Sequence, residues 1–192
     1  MLEKYESKIA NEKIKEQLKR YADSYSRIKE QAKSDYIKSL GPGAIVPKEV
    51  ALSGTYAEQF ENIIIDVQNK VNDIIEPFMK KLEEKFVEAP STDEVNMISL
   101  LKVRNNLTKD EVFQIADKYG EKPQVYRAIQ DIAHDHDIYL IDHPINQQIE
   151  DIKSVLKSVN GFSVYDAERD HATSGYMSFI GMSVDNAFPI EE

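Results

Sequence analysis

The chain has no cysteine in its 192 residues, which excludes disulfide staples, thiolate metal sites and cysteine nucleophiles. Tryptophan is also absent, and the seven glycines are scattered. Walker and dinucleotide phosphate loops, a nucleophile elbow and a zincin motif are therefore all missing. No apolar run approaches the roughly 18 residues that a membrane span requires. The charged opening Met1-Leu2-Glu3-Lys4-Tyr5-Glu6 lacks the apolar stretch of a secretion signal. A soluble, cytoplasmic protein without membrane contact is expected. Arginine is scarce at five residues, and net charge is −10, which argues against a broad basic footprint for nucleic acid.

With 41% hydrophobic and 30% charged residues, the chain can build a core and is not compositionally disordered. Its charge is uneven. Residues 1–40 carry ten Lys or Arg against seven Asp or Glu, whereas residues 131–192 carry three against twelve. Such polarity can orient copies head to tail or steer a partner to one end.

Two long apolar stripes dominate the first half. Leu18, Tyr21, Tyr25, Ile28 and Ala32 recur at spacings of 3 and 4, the narrow seam of a coiled-coil-like helix. Leu40-Gly41-Pro42-Gly43 stops it. Thr55 with Glu58 has capping-box spacing and opens a wider stripe from Tyr56 to Phe86. Pro77 interrupts that stripe and predicts a kink or a division of the helix. Folding back of the two helices predicts a long antiparallel hairpin over residues 1–90.

Residues 91–145 read as a small bundle of short helices. Ser91 with Glu94 and Thr108 with Glu111 are further capping boxes, Gly120 marks a stop, and Pro123 suits a first helical turn. Residues 138–141 form a short apolar run, a strand or an extended plug. Residues 146–192 comprise one amphipathic helix ending at Asn160-Gly161 and an acidic, aromatic tail without a period, which predicts irregular structure. The fold class is all-α: a helical hairpin, a short-helix bundle and a tail.

Four arrangements suggest chemistry. Around Ala116, Gly120 and Ile129 the spacing resembles a helix-turn-helix, which would place Lys122, Gln124 and Arg127 nearest a DNA groove. The same helix runs on into Asp131, Asp135 and Asp137, which repel phosphate. His134-Asp135-His136-Asp137, with His143 and His171 beyond, offers the ligand types of zinc, manganese or iron sites and of metal-dependent hydrolases. On a helix, however, His134 and His136 point to different faces, so a solvated helix end is the plainer reading and no metal or other cofactor is expected. Asp166, Glu168 and Asp170 open with calcium-loop spacing, but His171 stands where glycine is required and Met177 where a bidentate Glu is required. Glu58, Glu61, Asp73 and Glu76 fall on one helix, too local for the paired acidic motifs of helical nucleotide pyrophosphatases.

Residues 89–133, opening APSTDEVNMISLL and closing YRAIQDIA, resemble a segment of small helical phage and prophage proteins of low-GC Gram-positive bacteria. The resemblance implies a phage protein of assembly or accessory type, located in the host cytoplasm or the virion. The leading expectation is a non-enzymatic helical interaction or particle-assembly protein, a homo-oligomer or the partner of another protein. Leu18, Tyr21, Tyr25, Ile28, Tyr176 and Phe179 are its candidate interaction residues. A helix-turn-helix DNA-binding regulator is the first alternative, and a metal-dependent hydrolase the second. The tail beyond Ser174 is too apolar for an idle linker and is expected to dock on helical residues, with the basic N-terminal helix favoured.

Overall fold

A computed structural model describes residues 4–171 and 174–190, with the side chains of Lys4, Asp170, His171 and Ser174 outside the described set. The helices are α1 (Lys4–Ser39), α2 (Thr55–Phe86), α3 (Thr92–Lys102), α4 (Lys109–Tyr119), α5 (Pro123–Asp135), α6 (Pro144–Asn160), α7 (Val164–Asp166) and α8 (Ser174–Ala187), with a π-helical turn at Ala167–His171. Among the described residues there is no strand, and no helix is long and apolar enough to cross a membrane. The fold is all-α. The chain divides into two compact units: a larger one of residues 2–76 with 151–192, and a smaller one of residues 77–150.

In the larger unit, α1 and the first part of α2 run antiparallel. Arg20 pairs with Asp66, Tyr21 lies against Phe60, and Tyr56 donates to Asp35, so rising numbers on one helix meet falling numbers on the other. Ile14, Leu18, Tyr21 and Ile28 of α1 and Phe60, Ile64, Val67 and Val71 of α2 are buried, each such side chain removing apolar surface worth about 1.5–3 kcal/mol. The expected box at Thr55 does not form. Glu58 N–H instead donates to Gly54 O at 3.1 Å, so Gly54, at φ 52, is the residue that launches α2. Pro77 does not end α2, which is helical on both sides of it, yet the unit boundary falls between Glu76 and Pro77.

The C-terminal segment is helical where its pattern suggested irregular structure. Ser163 caps α7 by accepting from Asp166 N–H at 3.1 Å, and α8 packs against α1. Ile180, Val184, Ala187 and Phe188 are buried, while Phe179 and Met182 are exposed on the same helix. With large apolar side chains on both faces, the 3.6-residue period is masked. Asp185 accepts from Asn11 at 2.9 Å and from Lys15 at 2.5 Å, and Asn11 also donates to Phe188 O at 2.9 Å. The tail thus docks on α1 of its own chain.

The smaller unit is contiguous in sequence. Leu101, Val112, Ala116, Val125, Ile129, Ile132, Ala133 and Leu140 form its core. Both expected capping boxes are present: Glu94 N–H donates to Ser91 Oγ at 3.3 Å, Glu111 N–H to Thr108 Oγ1 at 3.3 Å, and each glutamate accepts in return from the cap backbone. Gly120 ends α4 and Pro123 occupies the first turn of α5. A Cβ at Gly120 would lie 2.2 Å from Ala116 O and 2.6 Å from Tyr126 Cδ2, so only glycine lets the turn pass that close. Residues 138–141 are an extended plug: Leu140 is buried, and Tyr139 and Ile141 face outward.

Candidate interaction surfaces

The seam of α1 serves the larger unit's own core. Leu18, Tyr21 and Ile28 are buried and Tyr25 is half-buried. Tyr21 stacks on Phe162 with ring centroids 4.2 Å apart, and both Tyr21 and Tyr25 tilt against Phe60 at 5.3 Å. Tyr176 is half-buried, its hydroxyl pKa raised first by burial and then by Asp166. Of the six candidate interaction residues, only Phe179 presents most of its surface, at 60%.

The helix-turn-helix spacing yields two helices, α4 and α5, joined through residues 120–122. Lys122, however, does not point its charge into a groove. Its amine lies 3.2 Å from each of Glu88 Oε1, Glu94 Oε2 and Ala89 O. The hydrogen bonds it donates to Glu94 and Glu88 raise its pKa, so it stays charged and engaged. Gln124 and Arg127 are exposed. The face they share continues into exposed Asp131 and Asp135, which disfavours phosphate.

The histidine and aspartate run does not converge. His134 is exposed, and His136 is the C-cap of α5. His143 is buried at 7% exposure, edge-on to Tyr126 at 5.2 Å, and its Nδ1 accepts from Ile145 N–H at 3.2 Å. Burial lowers its pKa, against backbone hydrogen bonds at Gly120 and Glu121, which describes a neutral side chain fastening the plug and the start of α6. The His171 and Asp170 side chains lie outside the described residues. Among the described residues no three His, Asp or Glu side chains are grouped to hold a metal ion. Glu168, a member of the calcium-loop spacing, accepts from Lys29 at 2.6 Å and from Leu52 N–H at 2.7 Å, pinning the connector to α1. Glu58, Glu61, Asp73 and Glu76 are all exposed along α2.

One surface was missed by the sequence reading. Met97, Leu100, Leu101, Val103 and Tyr119 line an open cleft of about 650 Å³ in the smaller unit, with Asp93, Asn96 and Arg104 at its rim. Leu101 is buried at its base, while Leu100 and Val103 remain 65% and 74% exposed. Arg104 is held at the rim by Glu111, 2.8 Å away. The available signal was Leu100-Leu101 followed by Val103: consecutive apolar residues at a helix end cannot all face one core.

No family model, no curated protein and no solved structure matches this chain.

Proposed function

We propose that the chain is a non-enzymatic helical interaction protein that self-associates through the α3–α4 cleft, in an assembly role of the kind its phage-like segment implies. The observation that carries this reading is the exposure of Leu100 and Val103 beside Met97 and Tyr119. Adjacent large apolar side chains left in water on an otherwise capped, close-packed unit mark a surface that another polypeptide covers. The long helices supply a frame, and the short-helix unit supplies the contact.

Light scattering coupled to size exclusion tests it on the full chain. Wild-type mass should rise with concentration, and Leu100→Glu with Val103→Glu should hold the protein monomeric with unchanged helicity, because both positions are already solvent-facing. A strictly monomeric wild type across a wide concentration range overturns self-association. Equal association of wild type and variant moves the contact elsewhere.

A further inference from the structure

We infer that the edge of the smaller unit at residues 131–142 is a docking surface for a cationic peptide segment of a partner protein, one that carries apolar side chains between its Lys or Arg residues. The inference rests on the reading of this protein as an interaction protein, but on residues separate from the α3–α4 cleft.

Tyr139 and Ile141 stand 81% and 68% exposed, two residues apart on the extended plug. Leu140 between them is buried, so the alternation presents two large apolar side chains outward from a fixed base. Gln130 Nε2 donates to Leu140 O at 3.2 Å and Tyr126 Oη to Ile141 O at 2.9 Å, which ties that base to α5. The outward pair is therefore a held feature of the surface.

The exposed charges that flank it in sequence are acidic, and Arg127 is the cation that shares their helix. Asp131, Asp135, Asp137 and Asp142 are exposed, and residues 128–152 contain no Lys or Arg. Asp131, Asp135 and Asp137 have no cationic partner among the described residues. The placement also runs against local stability. α1, α2, α3, α4 and α6 each carry a lysine in the last turn; α5 has only His134 there, beside Asp135, and α7 and α8 have no basic residue there. A carboxylate at the negative end of a helix dipole is unfavourable, and Asp137 holds a left-handed φ of 57.

The surface selects its occupant by elimination. Among the described residues no three acidic or imidazole groups converge on a metal, so the negative charge acts as an extended field. A second copy of the same edge meets like charge, and nucleic acid or an anionic lipid surface is repelled. A basic segment with interleaved apolar side chains satisfies both the carboxylates and the Tyr139–Ile141 pair.

The test is fluorescence anisotropy of the full chain with a dye-labelled peptide of about ten residues alternating Lys and Ile, compared with Glu–Ile and Lys–Ser peptides, at about 50 and 300 mM salt. The Lys–Ile peptide should bind, weaken with salt, and lose affinity about tenfold in each of two variants. One is Tyr139→Ser with Ile141→Ser. The other is Asp131→Asn, Asp135→Asn and Asp137→Asn, asparagine being tolerated at the positive φ. The inference is overturned by no binding, by equal binding of Lys–Ser, or by variants that bind as wild type. It is also overturned if light scattering shows that the Tyr139 variant loses self-association, since a second copy would then cover this edge. The cleft variant Leu100→Glu with Val103→Glu should still bind the peptide, so failure of the self-association reading and failure of this one are distinguishable.

Discussion

The two units reach a packed core by opposite routes. The larger draws α1 and α8 together from the two ends of the chain and fills the space with Tyr21, Phe60, Phe162 and Phe188. The smaller packs α3, α4 and α5 in sequence order, with a stop or cap at each junction. Non-local closure costs loop entropy before any contact forms, so the larger unit depends on large aromatic side chains, and the smaller on local signals. The sharpest way to break this contrast is Phe60→Ala, at a residue with no exposed surface that touches both Tyr21 and Tyr25. Stability of the larger unit should fall by roughly 3–5 kcal/mol. Hydrogen exchange should then show protection lost in α1 and α8 while α4 and α5 keep theirs; loss of both together would mean the units fold as one.

The corresponding lesion in the smaller unit is Gly120→Ala. The new methyl would overlap Ala116 O and the Tyr126 ring, and one of the contacts is backbone, so relief requires moving α4 against α5. A loss of roughly 1–3 kcal/mol is expected, read as a lower thermal midpoint with exchange confined to residues 109–135. An unchanged midpoint would show that the turn is looser than its geometry implies.

The same contrast explains what the sequence disclosed. Local punctuation was legible: the boxes at Ser91 and Thr108, the stop at Gly120 and the proline at position 123 all stand where their chemistry requires. So was the antiparallel pairing of α1 with the first part of α2, because each has one apolar stripe. Helix α8 was not legible, since Phe179 and Met182 fill the face opposite Ile180 and Val184. Neither was the α3–α4 cleft, for whether Leu100 or Leu101 turns inward depends on where α5 lies. Lys122 looked available for DNA because Glu88 and Glu94 are distant in sequence.

Smaller effects test the local signals themselves. Thr108→Ala should cost about 1 kcal/mol, the usual loss for a cap. Its partner adds a pH signature. Arg104, then the Thr108 backbone and hydroxyl, push the Glu111 carboxyl from 4.5 down to about 2. A carboxylate with a depressed folded pKa stabilises above its unfolded value, and that stabilisation disappears as pH falls through the folded one. The difference in thermal midpoint between wild type and Glu111→Gln should be constant above about pH 5 and shrink toward pH 2. A difference independent of pH would place the glutamate's role outside its charge.

The smallest expected effect has the opposite sign and lies in the larger unit. Tyr21 has no exposed surface, and its hydroxyl has no hydrogen-bond partner among the described residues. Burial first, and Asp166 second, raise its pKa far above the ordinary tyrosine value, which favours the neutral hydroxyl. An unpaired buried hydroxyl is a net cost, while the ring contributes through its stack on Phe162 and its contact with Phe60. Tyr21→Phe keeps the ring and removes the orphan, and should raise stability by up to about 1 kcal/mol. Tyr25→Phe, one turn along the same helix, should do the reverse, because the Tyr25 ring and hydroxyl face the Lys29 ammonium. Denaturant midpoints of the two variants decide the matter. If Tyr21→Phe destabilises, the hydroxyl is satisfied by an internal water, and the aromatic core of the larger unit is as completely paired as the capped helices of the smaller.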